Sequence, residues 1–302
     1  MVNRHNLTAS SSVNSSKQWL WFSAWVGLSV CLFLKPVVTV IQLALRDETY
    51  SHILLVPLIV AWVLYTERNQ SEASIRSSPW PGLGLLIVAL VSALLLLLCN
   101  SCAPHNLLAL YIASLVLLVV AGFCFVFGWR KTRASGFALA MLIFSVPIPD
   151  FLLGKIIYWL QSGSATIAEF FFNISGAPVL RDGFVFRLPK ISIEVAKECS
   201  GIRSSLALLI LALLVAHFSY RSVWRKSIFV FAGLCMMLIK NGIRIASLTL
   251  LANYVDPAFL YGNLHHKGGI VFFLIGLALL FPVFWLLRKG EIAKPTPAAV
   301  TE

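Results

Sequence analysis

Apolar residues in this chain come in long, nearly unbroken runs set apart by short polar segments. The runs are Trp19–Leu34, His52–Tyr65, Leu83–Leu98, Leu107–Phe127, Phe137–Leu153, Ile202–Phe218, Ile228–Leu251 and Ile270–Leu287. A helix of about 20 apolar residues crosses ~30 Å of hydrocarbon, so the pattern predicts about eight transmembrane helices. The run His52–Tyr65 is the shortest of them. No small-residue cleavage site follows the first run, which reads as a retained span and not as a removed signal peptide. The expected architecture is an all-α polytopic membrane protein. A Ser-rich, disordered cytoplasmic tail (1–18) precedes one transmembrane domain (19–288), and a cytoplasmic tail (289–302) follows it.

Three stretches depart from this pattern. Ile156–Phe172 is apolar but carries Gln161, Ser162, Ser164 and Glu169, and reads as an interfacial or re-entrant helix. Val37–Leu45, after Lys35-Pro36, reads as a second interfacial segment. Between Ser175 and Glu198 the period changes to two. Phe184, Phe186 and Leu188 alternate with Val185 and Arg187, and Ile191, Ile193 and Val195 alternate with Ser192, Glu194 and Ala196. That alternation, broken by Pro189-Lys190, predicts a small β-hairpin. Pro147-Ile148-Pro149-Asp150 should break the fifth helix.

Charge orients the runs. Basic residues cluster at Arg4 and Lys17, at Arg68 and Arg76, at Arg130, Lys131 and Arg133, at Arg221, Arg225 and Lys226, and at Arg288, Lys289 and Lys294. These clusters fall on alternate connections, which places both termini in the cytoplasm and the hairpin outside. Composition agrees: 59% of the chain is hydrophobic and 12% charged, against roughly half and a quarter in soluble domains. The net charge of +12 would suggest nucleic acid in a soluble protein, but here the basic residues report topology and contact with anionic lipid. No nucleic-acid motif and no internal repeat is present, so no nucleic-acid partner is expected.

Six cysteines are too few and too scattered for a disulfide framework. Cys31, Cys124 and Cys235 lie inside apolar runs, and Cys99 and Cys102 form a C-x-x-C near His105. Cys199 differs. It sits where the hairpin ends and the sixth run begins, in Glu198-Cys199-Ser200-Gly201-Ile202-Arg203-Ser204-Ser205. A thiol at a helix N-terminus gains thiolate character from the helix dipole, and Arg203 on the same face adds positive potential. Gly201 would let a substrate backbone approach. The same position also suits a passive thiol at a helix cap. Arg244 lies inside the seventh run, roughly 13 Å below Asn253. It shares a helix face with Lys240 and Ser247. A charge inside a span is costly and usually faces a polar cavity, although snorkelling is the simpler account. His265 and His266 precede the last run, and either could take a thiol proton. Tyr50-Ser51-His52 could line a substrate path.

At these residues the chain resembles the exosortase/archaeosortase family. The resemblance rests on Glu198-Cys199-Ser200-Gly201-Ile202-Arg203-Ser204, on Asn241-Gly242-Ile243-Arg244, and on His265 four residues before Gly269. Tyr50–Pro57 and Pro147–Pro149 are also similar, so likeness runs from about Tyr50 to Leu287. It implies a cysteine transpeptidase on the outer face of the bacterial cytoplasmic (inner) membrane. Substrates of the family are exported proteins with a C-terminal sorting signal: a short motif such as Pro-Glu-Pro, an apolar span and a basic tail. Cleavage would pass the new carboxyl end to an acceptor such as a membrane lipid or surface polysaccharide. By this resemblance Cys199 is the nucleophile, Arg244 the second member and His265 the third, with His266 the competing histidine. Ser200, Gly201, Arg203, Asn241 and His52 are further catalytic or substrate-binding candidates. No cofactor or metal is implied.

Other classes compete. A non-enzymatic transporter or assembly factor could use Arg244 and Lys240 as an anion site between helices, though no repeat symmetry supports a transporter. Neither a Gly-x-Ser-Gly rhomboid pattern nor a His-Glu-x-x-His zinc helix is present. Asp150 and Asp256 could form an intramembrane aspartyl pair, but Asp256-Pro257 has the character of a loop turn.

Overall fold

A computed structural model describes residues 4–68, 80–98, 103–260 and 269–292. Ten α-helices and one small sheet make up the described residues, and the chain divides into two compact units, Met1–Asp150 and Phe151–Glu302. Among the described residues, five helices are long and apolar enough to cross a membrane, or up to seven if each of two bent helix pairs is one span. The architecture is that of an all-α polytopic membrane protein.

Unit 1 contains α1 (Arg4–Leu32), α2 (Leu34–Arg46), a 3-10 turn (Glu48–Leu54), α3 (Val56–Thr66), α4 (Trp80–Leu98), α5 (Pro104–Ala134) and α6 (Gly136–Met141). α1 begins well before the apolar run at Trp19, so the polar stretch ahead of that run joins the first helix. The chain turns by 82° between α1 and α2, next to Lys35-Pro36, and α2 is the separate short helix expected there. A 3-10 turn over Leu142–Ser145 follows α6, and Pro147–Pro149 carries no helix. The run Phe137–Leu153 is therefore not one helix. Proline removes a donor and restricts the residue before it, which ends the helix at this point. Gly122 lets α1 and α5 approach: a Cβ there would run into the Trp25 indole, whose Nε1 donates to Leu118 O at 3.0 Å.

Unit 2 receives nearly all of α7 (Asp150–Ile174), then strands β1 (Leu180–Asp182), β2 (Val185–Arg187) and β3 (Ser192–Glu194), a 3-10 turn (Lys197–Ser200), α8 (Ile202–Ser219), α9 (Val223–Tyr254), a 3-10 turn (Pro257–Leu260) and α10 (Gly269–Ile292). The interfacial segment expected over Ile156–Phe172 is the middle of the longer α7. The expected hairpin is β2 and β3, paired Val185↔Glu194, Phe186↔Ile193 and Arg187↔Ser192. A third strand, β1, joins it antiparallel across a two-residue turn that starts at Gly183, φ 60°. The order is β1-β2-β3, so β3 is an edge.

The sheet is seated by its inward side chains. Phe186 and Val195 are buried against Ala165, Ala168 and Phe172 of α7 and Ile245 and Ala246 of α9. Arg181 Nη1 donates to Glu169 Oε2 at 2.7 Å, and Lys190 N donates to Asn253 Oδ1 at 3.2 Å. Small residues bring the helices together. A Cβ on Gly242 of α9 would lie 2.5 Å from Ile167, and one on Gly233 would lie 3.1 Å from Ala212 of α8.

Candidate functional site

The connection from β3 into α8 carries the distinctive chemistry. Gln161 of α7, itself buried, donates through Nε2 to Val195 O at 2.8 Å and pins the chain as it leaves the sheet. The next residues form the 3-10 turn Lys197–Ser200, in which Cys199 N donates to Ala196 O at 2.9 Å. Gly201 then takes φ 70°, ψ 19°, a left-handed conformation that costs other L-residues roughly 1–2 kcal/mol. A second reason also demands glycine here: a Cβ would stand 2.7 Å from Asn241 Oδ1. α8 starts at Ile202 with no side-chain cap, so its first N–H groups and positive dipole end lie beside the thiol-bearing turn.

Asn241 locks this turn from α9. Its Nδ2 donates to Cys199 O at 3.0 Å, to Ser200 O at 3.2 Å and to Ser164 Oγ of α7 at 3.0 Å. Asn241 is 2% exposed and Ser164 fully buried, so these bonds are made away from bulk solvent. One residue earlier, Lys240 Nζ donates to Ser204 Oγ on the first turn of α8 at 2.6 Å. Ser200 and Ser205 are also buried, and their hydroxyl oxygens have no hydrogen-bond partner among the described residues.

Cys199 and Arg244 line the same small cleft, of about 60 Å³. Its other walls are Ile193 and Glu194 of the edge strand, Val195 just after it, and Ile245, Leu248 and Thr249 of α9. Both Cys199 and Arg244 are half-buried, and Arg203 is exposed. The cleft thus combines a thiol, a guanidinium and the backbone of a strand. The register gives that strand a direction. Leu188 N donates to Ile191 O at 2.8 Å and Val195 N to Phe184 O at 2.9 Å, so Ile191 and Ile193 turn their backbone groups, and Val195 its N–H, toward β2. Ser192 and Glu194 turn theirs to the outer edge, where Glu194 O accepts from Ala196 N at 2.9 Å.

Of the residues singled out from sequence, the structure brings together Cys199, Ser200, Gly201, Asn241 and Arg244. Lys240, the other half of the suggested anion site, is turned into a bond with Ser204 and does not line the cleft. His52 lies in unit 1, its Nδ1 3.1 Å from Thr49 O within its own 3-10 turn. His265 and His266 lie outside the described residues, as do Cys99 and Cys102. Asp256 accepts from Ala258 N at 2.8 Å, a local turn of the kind its Pro neighbour suggested. Sequence reasoning missed Gln161 and Ser164 as parts of the site. Their signal was present: two polar residues three apart on one face of an otherwise apolar helix.

The sequence profile of the transmembrane exosortases matches residues 43–282, most of the chain. The match includes α7, the three-stranded sheet, Cys199, the Asn241–Arg244 segment and the His265-His266 pair. No curated protein and no solved structure matches the chain. The family profile covers most of the chain, and the chain belongs to the transmembrane exosortase family.

Proposed function

We propose that this protein is a cysteine endopeptidase and transpeptidase that cleaves a C-terminal sorting signal of exported proteins on the outer face of the bacterial inner membrane. Family membership supports a membrane transpeptidase or sorting role. The observation that carries the finer reading is the shared cleft of Cys199 and Arg244, with Cys199 held at the N-terminal end of α8.

A histidine takes the Cys199 thiol proton, the thiolate attacks the scissile carbonyl carbon of the sorting motif, and the carbonyl π pair moves onto oxygen. Arg244 and N–H groups of the first turn of α8 are suited to stabilise that oxyanion. Collapse of the tetrahedral species expels the amine of the C-terminal anchor, which takes a proton from a histidine, and leaves an acyl thioester on Cys199. His265 fills this role by family spacing, with His266 the competing residue. A nucleophile on an acceptor, losing its proton to the histidine, then attacks the thioester; the C–S bond breaks, and the released thiolate regains the proton. An extended motif of the Pro-Glu-Pro type can add to the outer edge of β3, where Ser192 offers main-chain groups and Glu194 borders the cleft. Arg244 could hold a motif carboxylate in a bidentate fork.

The test co-expresses the protein with a tagged substrate carrying such a motif, an apolar span and a basic tail. Cys199→Ala should abolish processing while the protein still accumulates in the membrane, and the parent should yield an acyl adduct on the Cys199 peptide by mass spectrometry. Processing by Cys199→Ala above the no-enzyme background removes the covalent mechanism. A reporter after Gly183 should be extracytoplasmic and one after Arg225 cytoplasmic; the reverse puts the thiol on the wrong side.

A further inference from the structure

The hydrogen bonds described around Cys199 end on a buried cation that the proposed reaction does not use. Lys240 is 2% exposed, inside a membrane-spanning helix, where an ammonium is costly to keep. Two features show that the fold is built to hold it. Its Nζ donates to Ser204 Oγ at 2.6 Å, and Ser204 Oγ donates in turn to Gly201 O at 3.1 Å. On the opposite side Gly276 of α10 makes room for the aliphatic stem: a Cβ there would stand 3.0 Å from Lys240 Cδ. The relay ends on the carbonyl of Gly201, the left-handed residue that joins the Cys199 turn to α8. Lys240 and Asn241, adjacent in α9, therefore grip the same turn from two sides. Asn241 binds the carbonyls of Cys199 and Ser200, and Lys240 reaches that of Gly201 through Ser204.

From this arrangement we infer that Lys240 is a positioning residue for Cys199, bracing the turn through Ser204 and adding positive potential beneath the N-terminal end of α8. The inference rests on the reading of Cys199 as a nucleophile, but the alkylation arm of its test does not. Several charges act on the thiol. Arg244 on α9 and Glu194 on β3 share its cleft, Lys197 lies in its own turn, and Arg203 lies in the first turn of α8. Arg244 is also the nearest like charge to Lys240 along α9. Glu194 opposes a thiolate and the cations favour it. Taking away the Lys240 ammonium therefore makes the thiolate harder to form.

The experiment follows iodoacetamide alkylation of Cys199 across pH in the full-length, membrane-extracted protein, read from the mass of the Cys199 peptide. Lys240→Met keeps the length of the stem and removes the charge. At pH 7 it should alkylate Cys199 about tenfold more slowly than the parent, with the midpoint of the profile moved to higher pH and the high-pH plateau retained. Ser204→Ala keeps the charge and breaks the relay; it should leave the midpoint in place and lower processing of the tagged substrate several-fold. A purely structural role for Lys240 predicts the parent profile in Lys240→Met, because an apolar side chain is easier to bury there, and that result overturns the inference. If Lys240→Met does not accumulate, Ser204→Ala decides: processing equal to the parent overturns the bracing role. Failure of the transpeptidase reading is seen separately, as processing that survives Cys199→Ala.

Discussion

In unit 1 the buried interior is a cluster of rings, with Phe22 against Phe123 at 5.2 Å, Phe123 against Phe127 at 4.6 Å and Trp19 against Phe127 at 4.8 Å. Beside it lies an apolar cavity of about 420 Å³, lined in part by Phe22, Val40, Val60 and Leu115. Several buried hydroxyls in this unit bond back to their own helices. Ser29 donates to Trp25 O and Thr132 to Gly128 O, each four residues earlier, and Ser114 does the same to Leu110 O while also pairing with Ser92 Oγ of α4 at 2.8 Å. In unit 2 several buried polar groups bond between elements. Asn241 of α9 reaches Ser164 of α7 and the carbonyls before α8, Gln161 of α7 reaches Val195 after β3, and Asn253 of α9 receives Lys190 N. A hydroxyl bonded to its own helix satisfies itself wherever the helix goes. A side chain bonded across elements is satisfied in one arrangement only, and so specifies it. The second kind collects around Cys199.

That contrast can be broken at its strongest point first. Asn241→Leu keeps the bulk and removes three hydrogen bonds that hold the Cys199 turn. Displacing a reacting group by about 1 Å can cost roughly 100-fold, so processing should fall by about that factor or more while the protein still accumulates. An Asn241→Leu variant within a fewfold of the parent would mean that the turn holds its shape without the clamp.

A smaller effect is expected in unit 1, and on stability alone. Gly122→Ala drives a methyl into the Trp25 indole and should separate α1 from α5, at about 1–3 kcal/mol. The melting temperature should drop, while the pH profile of Cys199 alkylation should match the parent. A change in that profile would show that the packing of unit 1 tunes the thiol.

The smallest effect belongs to the partly exposed pair Arg181–Glu169, 2.7 Å apart. Arg181→Met should lower stability by less than about 1 kcal/mol in a denaturation curve, because solvent screens the pair. A larger loss would move this contact into the network that seats the sheet.

How much of this was visible beforehand follows the same division. The Cys199 turn was legible because a period of two gives way to a long apolar run at that point, and because Gly201 sits at the junction. β2 and β3 were legible from alternation, but β1 was not. Its three residues, Leu180–Asp182, are mostly exposed and too short to carry a periodic signal. The break at Pro147–Pro149 was legible from the prolines. The full length of α7 was not, because its first turn continues the apolar run Phe137–Leu153.

The sequence by itself determined that the chain is helical and membrane-spanning, where β2 and β3 lie, and which thiol stands at a helix start. Those properties are local: they depend on side-chain period, chain length and the backbone limits of glycine and proline. Only the tertiary structure decided what the polar residues inside the spans are for. Asn241 meets Cys199 across 42 residues of chain, and Ser164 across 77. It also turned Lys240 toward Ser204 and left Arg244 in the cleft, though both lie four residues apart on one face of α9. Helical spacing puts two such residues on one stripe; the neighbouring helices, with a serine beside one and an opening beside the other, give them different partners.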